Sequence, residues 1–271
     1  GGYLKSVDNG KTWKRVYNLT WVDETTNEYD SQIEKLIYMA NVITKHIPNT
    51  ITCCNLICGC IAIDNALSGL YGMAFLFIIL GAVFDFFDGM TARLLRVSSP
   101  IGKELDSLAD VVTFGVAPSA MVFTLLSTQN YPASLAAVSE YIPYVAFVMA
   151  AFSALRLAKF NLDERQTTSF IGLPTPANAL FWGSLIIGGE SFLSSSIYNV
   201  AAVIVLVFIM SYLLVAEIPM FALKFKSWGW KGNEVKYIFL ITCIPLLALL
   251  KLSGFAAIIA WYVVLSAITK K

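Results

Sequence analysis

The chain has 271 residues, of which 57% are hydrophobic and 14% are charged, and its formal net charge at pH 7 is +1. Its mean hydropathy is +0.69, whereas about a quarter of the residues in an ordinary soluble domain are charged. This composition excludes a typical soluble globular protein and indicates a membrane protein. Because the net charge is close to zero, we expect no nucleic-acid partner.

Residues 1–38 differ from the rest because they are polar and contain no apolar run long enough for a signal peptide or a membrane span. The run SVDNGKTW at residues 6–13 resembles a single Asp-box hairpin of sialidase-like propellers, and one copy cannot form a propeller. We interpret residues 1–38 as a polar N-terminal appendage, either an added soluble piece or a translation-start artefact. Met39 is a plausible native start, and residues 34–46 predict a short amphipathic helix on the membrane surface.

Eight apolar segments follow, and each meets or approaches the roughly 17 to 25 residues that a membrane-spanning helix needs. They are centred in residues 51–69, 71–93, 103–127, 141–160, 175–193, 198–221, 235–251 and 254–269. The last two are short and are joined by a tight turn. The sequence therefore predicts an all-α polytopic helix bundle, with a six-helix catalytic core plus two C-terminal helices in a membrane domain of residues 39–271.

Lysine and arginine residues lie in alternate connections between these segments. The connections at residues 64–71, 127–141 and 188–199 have none, and only Lys251 breaks the alternation. Because basic residues favour the cytoplasmic side, we expect both termini to be cytoplasmic. The connection between the second and third helices should lie on the same side, at the inner membrane of the cell.

That connection belongs to an unusual stretch, DFFDGMTARLLRVSSPIGKELDSLAD, at residues 85–110. Two sets of residues in it recur at helical spacing and so form one stripe on each of two successive helices. The first stripe is Asp85, Asp88, Gly89, Ala92 and Arg93, and the second is Gly102, Asp106 and Asp110. The turn at residues 98–100 folds the chain back, so the stripes can face each other. The small residues allow close helix packing or leave room for a flat ligand.

Four carboxylates near a membrane interface need a compensating charge, because a buried unpaired charge is costly. Oxygen ligands without His or Cys favour Mg²⁺, Mn²⁺ or Ca²⁺, and two such ions would neutralise the cluster. Two cations beside Arg93 would attract a pyrophosphate, which predicts metal-dependent phosphoryl chemistry. A di-iron bundle is excluded because His46 is the only histidine. A divalent-cation transporter remains the non-enzymatic alternative.

The pattern D-x2-D-G-x2-A-R-x8-G-x3-D-x3-D at residues 85–110 resembles the signature of the CDP-alcohol phosphotransferases at every fixed position. This resemblance implies an integral membrane enzyme that transfers a phosphatidyl or related group from a CDP-linked donor to an alcohol and releases CMP. It covers about residues 45–265. It is compatible with a homodimer, since dimers are common in that family.

Two further segments concern the acceptor alcohol. The runs RLAKFN at residues 156–161 and FIGLPTPAN at residues 170–178 resemble those of the bacterial branch that uses CDP-diacylglycerol and L-serine. This likeness implies that the product is phosphatidylserine, made in phospholipid biosynthesis. Glycerol 3-phosphate or an inositol compound is the alternative acceptor. Arg156 is interpreted either as a membrane-interface anchor or as a contact for a phosphate or the serine carboxylate, and Asn161 as part of the acceptor pocket.

The resemblance also implies roles for individual residues. One Mg²⁺ or Mn²⁺ ion would be held by Asp85, Asp88 and Asp106, and a second by Asp85, Asp106 and Asp110. Asp110 would also accept the proton of the serine hydroxyl, and Arg93 would hold charge on the departing CMP. The residues expected to contact CDP-diacylglycerol are Gly89, Arg93, Ser99 and Gly102, with Asn49 and Thr52 from the first membrane helix.

Overall fold

A computed structural model describes residues 3–6, 13–16, 24–129, 131–162, 170–193, 197–221, 229–230 and 232–269. The chain divides into two compact units, Gly1–His46 and Ile47–Lys271. In the first unit, strands β1 (Tyr3–Ser6) and β2 (Trp13–Val16) pair antiparallel. The turn of the Asp-box-like run, at residues 7–12, lies outside the described residues.

Helices make up nearly all of the rest of the described chain. They are α1 (Glu24–Leu67), α2 (Tyr71–Leu95), α3 (Pro100–Asp110), α4 (Ala117–Ser127), α5 (Val148–Leu162), α6 (Thr175–Leu193), α7 (Ile197–Val215), α8 (Glu234–Leu250) and α9 (Gly254–Ile268). A π-helical segment, Val111–Val116, joins α3 to α4. The surface helix predicted at residues 34–46 falls within α1, and its side chains before Thr44 lie outside the described residues.

Five helical stretches among the described residues are long and apolar enough to cross a membrane, which confirms the prediction of an all-α polytopic protein. They are His46–Leu67, Tyr71–Leu95, Pro100–Ser127, Ile142–Leu162 and Glu234–Ile268, and Asn199–Val215 is a shorter apolar helix. The last stretch contains the predicted C-terminal pair, α8 and α9, with a 3-10 turn at Lys251–Ser253 between them. Each helix follows from an apolar run bounded by polar or turn-forming residues.

The stretch from α3 through the π-helical segment to α4 is the most buried of these spans and forms the centre of the bundle. It packs against α2, α5 and α6. Phe114 and Met121 on the central stretch and Trp182 on α6 are completely buried. Because the central helix is fixed on several sides, the residues at its N-terminal part are held on a rigid element.

Two very short strands position the start of α6. Strand β3 (Phe170–Ile171) pairs antiparallel with β4 (Pro219–Met220), which follows α7. Gly172 comes next, with φ +77°, and a Cβ at this position would meet the Leu214 carbonyl oxygen at 2.6 Å. Only glycine fits both the backbone angle and the available space. The predicted FIGLPTPAN segment therefore turns sharply and starts α6 at Thr175.

Candidate active site

Three carboxylates converge where α2 and α3 meet. Asp85 and Asp88 come from α2 and Asp106 from α3, and one carboxylate oxygen of each lies within 4.8 Å of the others. Asp88 is buried, with 6% of its surface exposed, and the other two are half-buried. Asp85 and Asp88 share one face of α2 because they are three residues apart. The two helical stripes inferred from the spacing therefore face each other.

The fourth carboxylate, Asp110, is the last residue of α3 and lies one helical turn beyond Asp106. It is buried, and its Oδ1 accepts a hydrogen bond of 3.3 Å from Asn55 Nδ2. It interacts electrostatically with Asp85 and Asp106 but is not one of the three residues within 4.8 Å. The π-helical segment begins directly after it, and such segments are frequent at functional sites.

Helix α1 supports two of the carboxylates from the opposite side. The buried Thr52 hydroxyl donates a hydrogen bond of 2.6 Å to Asp88 Oδ2, and its oxygen also lies 3.0 Å from the Pro48 carbonyl oxygen. Asn55 reaches Asp110 as described, and its own carbonyl accepts a 3.0 Å hydrogen bond from Thr113 Oγ1 in the π-helical segment. Helix α1 is thereby attached to both α2 and the central helix, and the aspartate side chains are held in place.

The two glycines of the signature serve different purposes. A Cβ on Gly102 would lie 2.9 Å from Asn49 Oδ1 and 3.0 Å from Ser99 Oγ, so this glycine permits close packing of α3 on α1. A Cβ on Gly89 would meet only the tip of the Arg93 side chain, at 3.4 Å. Gly89 therefore borders open space beside the carboxylates, as a ligand site requires.

Arg93 and Ser99 each lie beside one of the two signature glycines. Arg93 is exposed in the last turn of α2, and its guanidinium lies beside Gly89. Ser99 caps the N-terminus of α3, because its Oγ accepts a 2.9 Å hydrogen bond from the Gly102 backbone N–H. The hydroxyl of Ser99 keeps its proton for donation to a ligand. A guanidinium and a helix N-terminus both favour an anionic ligand.

Arg156 is buried in the bundle, with 7% of its surface exposed. Its Nη1 donates a 3.5 Å hydrogen bond to Thr175 Oγ1 at the start of α6, and its guanidinium lies 5.6 Å from the centre of the Phe160 ring. It interacts electrostatically with Asp110, and its Nε has no hydrogen-bond partner among the described residues. Burial next to an active-site carboxylate distinguishes Arg156 from a lysine or arginine anchor at a membrane surface.

Asn161, the other residue predicted for the acceptor pocket, joins α5 to α3. Its Nδ2 donates a 2.8 Å hydrogen bond to Ser107 Oγ, and its carbonyl oxygen accepts a 2.9 Å bond from Lys103 Nζ. Ser107 directly follows Asp106 in the chain. Asn161 thus fixes the position of the helix that carries Asp106 and Asp110.

The carboxylates fit a divalent cation. Asp106 Oδ1 is buried and has no hydrogen-bond partner among the described residues. Several carboxylates brought close together repel one another unless a cation or proton compensates for their charge. The ligand atoms are all oxygens, which hard cations such as Mg²⁺ and Mn²⁺ prefer. The site is therefore an acidic cluster within a membrane helix bundle whose residues could hold a divalent cation.

Comparison with known proteins connects this site to a family. Residues 45–208 match the CDP-alcohol phosphatidyltransferase family. This segment contains all four aspartates together with Thr52, Asn55 and Arg156. The fold defines a polytopic membrane protein, and the matching family is a family of transferases. The chain belongs to the CDP-alcohol phosphatidyltransferase family.

Three similar curated proteins share the name "CDP-diacylglycerol--serine O-phosphatidyltransferase". The protein of Bacillus subtilis is 43% identical over 132 residues, which are 48% of this chain and 70% of that protein. The protein of Helicobacter pylori strain J99 is 36% identical over 135 residues, 49% of this chain and 54% of that protein. The protein of Methanocaldococcus jannaschii is 36% identical over 154 residues, 56% of this chain and 64% of that protein.

Sequence reasoning missed several polar residues around the carboxylates. Asn55 is one of them, although Asn49, Thr52 and Asn55 recur every three residues in the first membrane helix and so share a helix face. That spacing was a usable signal. Thr175 and Asn178 carried a comparable signal, because they lie three residues apart within the FIGLPTPAN segment. Ser153, which is buried on α5, carried none, because it stands alone among apolar residues.

Proposed function

We propose that this chain transfers the phosphatidyl group of CDP-diacylglycerol to the hydroxyl of L-serine, giving phosphatidylserine and CMP in phospholipid biosynthesis. The observation that carries the proposal is the convergence of Asp85, Asp88 and Asp106 on two membrane helices, with Asp110 one turn further along. The names of the similar proteins support CDP-diacylglycerol as the donor and serine as the acceptor.

Two divalent cations, Mg²⁺ or Mn²⁺, are proposed at the carboxylates. Asp85, Asp88 and Asp106 would hold one ion, and Asp85, Asp106 and Asp110 the other. When bound, the ions would polarise the pyrophosphate of the donor and neutralise charge that develops on it. Thr52 orients the Asp88 carboxylate and Asn55 orients that of Asp110, so both carboxylates are held ready for binding.

The protein's own groups suit the steps of the transfer. The exposed Arg93 guanidinium beside Gly89 holds the phosphates of the donor, and later the departing CMP. Asp110 accepts the proton of the acceptor hydroxyl as its oxygen attacks the phosphorus that carries diacylglycerol. The bond from that phosphorus to the oxygen of CMP breaks, and CMP leaves. Arg156, buried near Asp110, pairs with the carboxylate of serine.

An apolar cavity favours a lipid donor over simple cation transport. It has a volume of about 350 Å³, lies among α2, α6 and α9, and includes Phe86 and Phe87, which separate Asp85 from Asp88 in the sequence. Almost none of its lining is polar. A donor bound through its pyrophosphate at the carboxylates would have this space beside it for an acyl chain.

The same proposal places the active site at the cytoplasmic face of the inner membrane. Arg93 and Arg96 are exposed at the end of α2, and Lys103 lies at the start of α3. Basic residues in a short connection favour the cytoplasmic side. Both CMP and serine are water-soluble, so they would exchange with the cytoplasm at this end of the helices.

The deciding experiment uses the purified chain in detergent with CDP-diacylglycerol, Mn²⁺ or Mg²⁺, and labelled L-serine. The proposal expects labelled lipid and CMP in equal amounts. If glycerol 3-phosphate or an inositol supports turnover and serine does not, the serine assignment is wrong. If no acceptor is used and cation flux into vesicles depends on Asp106, the chain is a transporter.

A further inference from the structure

Several buried polar residues lie on α5 and α6, the helices that follow the Asp110 segment in the chain. The proposed mechanism uses only one of them, Arg156. The others are Ser153 on α5 and Thr175 and Asn178 on α6. All four side chains are more than nine-tenths buried, and Ser153, Thr175 and Asn178 are completely so. Such polar groups are expensive inside a membrane helix bundle unless they are paired.

Asn178 is the least satisfied of them. Neither its Nδ2 nor its Oδ1 has a hydrogen-bond partner among the described residues. An Asn amide offers two donor hydrogens and an acceptor oxygen, so this side chain leaves its full capacity unused. A buried polar side chain left unpaired in the protein alone needs an explanation, and a ligand that pairs with it is one.

The position of Asn178 connects it to the reaction site. It lies three residues after Thr175 and therefore on the same side of α6. The Thr175 hydroxyl is 3.5 Å from Arg156 Nη1, and Arg156 interacts electrostatically with Asp110. Arg156 Nε also has no partner among the described residues. Arg156 and Asn178 thus both have unused hydrogen-bonding capacity, and Thr175 contacts Arg156 and shares a face of α6 with Asn178.

L-serine, the acceptor substrate of the proposed reaction, has three polar groups that these residues can bind. Its hydroxyl goes to Asp110 and its carboxylate to Arg156. Its ammonium requires an acceptor oxygen, because another cation would repel it. Asn178 Oδ1 is a neutral oxygen without a partner among the described residues, and it follows Thr175, which Arg156 contacts, by three residues on α6. We propose that Asn178 is a specificity-determining residue that binds the α-ammonium of the acceptor amino acid through Oδ1.

This inference rests on the proposed function and goes beyond it by naming the residue that selects an amino acid. A phosphorylated or polyol acceptor has no ammonium and would leave Asn178 Oδ1 buried and unpaired. A binding site built around a buried hydrogen-bond acceptor atom rejects a substrate that lacks the matching N–H or O–H group. Asn178 would therefore favour L-serine over 3-hydroxypropionate, which has the same hydroxyl and carboxylate and no ammonium.

The test compares the wild type with Asn178→Leu, which keeps a similar volume and removes both polar atoms. We expect the KM for L-serine to rise about 10-fold or more, the loss typical of a hydrogen bond to a charged group. The kcat and the KM for CDP-diacylglycerol should change little. The preference for L-serine over 3-hydroxypropionate should fall by a similar factor. Asn178→Asp, which retains the acceptor oxygen, should keep a KM for L-serine close to that of the wild type.

Ser266→Ala is the matched control, because Ser266 on α9 is also buried with an unpartnered Oγ. It should leave both KM values and the acceptor preference unchanged. If Asn178→Leu and Asn178→Asp lose kcat equally and keep the acceptor preference, Asn178 is structural and the inference is overturned while serine transfer stands. If Asn178→Leu does not fold, Asn178→Asp alone decides. The inference is then overturned if Asn178→Asp no longer prefers L-serine over 3-hydroxypropionate. A wild type that does not use serine overturns the proposed function itself.

Discussion

Asp110 differs from the other three aspartates in its surroundings. Asp85, Asp88 and Asp106 form the tight group, whereas Asp110 is attached to Asn55 on α1 and lies near the buried Arg156. The contact with Asn55 and the nearby Arg156 support the proposal that Asp110 accepts the proton of the acceptor hydroxyl.

The first prediction concerns Asp110 itself. Asp110→Asn should lower turnover by roughly 100-fold or more, because proton acceptance and a cation ligand are lost together. The amount of folded protein should stay the same, since removing a charge from a repulsive cluster does not weaken the fold without metal. Rates of CMP release and size-exclusion profiles in detergent check both statements. Asp64→Asn, an exposed aspartate near the far end of α1, is the control, and aggregation of Asp110→Asn alone would contradict the expectation.

The second prediction concerns the Thr52 contact. Thr52→Val keeps the side-chain shape and removes the 2.6 Å hydrogen bond to Asp88. We expect the Mn²⁺ or Mg²⁺ concentration for half-maximal activity to rise about 10-fold, because partners that orient cation ligands contribute about that much. Thr124→Val, a buried threonine on α4, should leave the metal requirement unchanged. An unaltered metal requirement in Thr52→Val would show that Asp88 needs no support from α1.

At the scale of elements, the active site depends on how three helices are attached. Helix α1 contacts α2 through Thr52 and the central helix through Asn55 and Thr113. Helix α5 contacts α3 through Asn161. The start of α6, which carries Thr175 and Asn178, is set by the Gly172 turn and the β3–β4 pair. Backbone geometry at the Gly172 turn thus determines where Thr175 and Asn178 lie.

The third prediction tests the Gly172 turn. Gly172→Ala should lower stability by about 1 to 3 kcal/mol, because alanine is strained at φ +77° and its Cβ would press on the Leu214 carbonyl. Thermal unfolding in detergent measures the loss. Gly72→Ala is the matched control, since a Cβ at Gly72 has open space around it, and its unfolding temperature should equal or slightly exceed that of the wild type. Equal losses in both variants would refute the role given to the turn.

The helices were predictable because apolar runs and their polar boundaries determine where membrane helices lie. The second membrane helix was predicted at residues 71–93 and is Tyr71–Leu95, and the third was predicted at 103–127 and is Pro100–Ser127. The π-helical segment after Asp110 was not predictable, because one extra residue in a turn leaves an apolar run unchanged. The contact between Asn55 and Asp110 joins residues far apart in the chain, and no local pattern in the sequence encodes it.

At the scale of the whole molecule, the distribution of charge and apolar surface describes a protein within a bilayer. Large apolar side chains are exposed on many helices, such as Phe86, Phe208 and Ile244. The buried polar groups gather between the helices, around the carboxylates and at the start of α6. Lipid covers the first kind of surface, and substrate and cations are proposed to satisfy the second.

The fourth prediction tests orientation. A cysteine is introduced at one of two exposed positions in the chain that keeps its native cysteines. One variant is Ser98→Cys, between α2 and α3, and the other is Ser134→Cys, between α4 and α5. A membrane-impermeant maleimide applied to intact cells should label Ser134→Cys and not Ser98→Cys, because basic residues place the α2–α3 connection inside. After the cells are opened, both should react. The wild type is the control for labelling of the native cysteines. Labelling of Ser98→Cys and not of Ser134→Cys in intact cells would place the carboxylates on the outer face.

The most direct test of the central claim is the acceptor assay with purified wild-type protein in detergent micelles. CDP-diacylglycerol, Mn²⁺ or Mg²⁺, and labelled L-serine should give phosphatidylserine and CMP in a one-to-one ratio, and chelation of the metal should abolish both products. Release of CMP with glycerol 3-phosphate or an inositol, and none with serine, would contradict the claim.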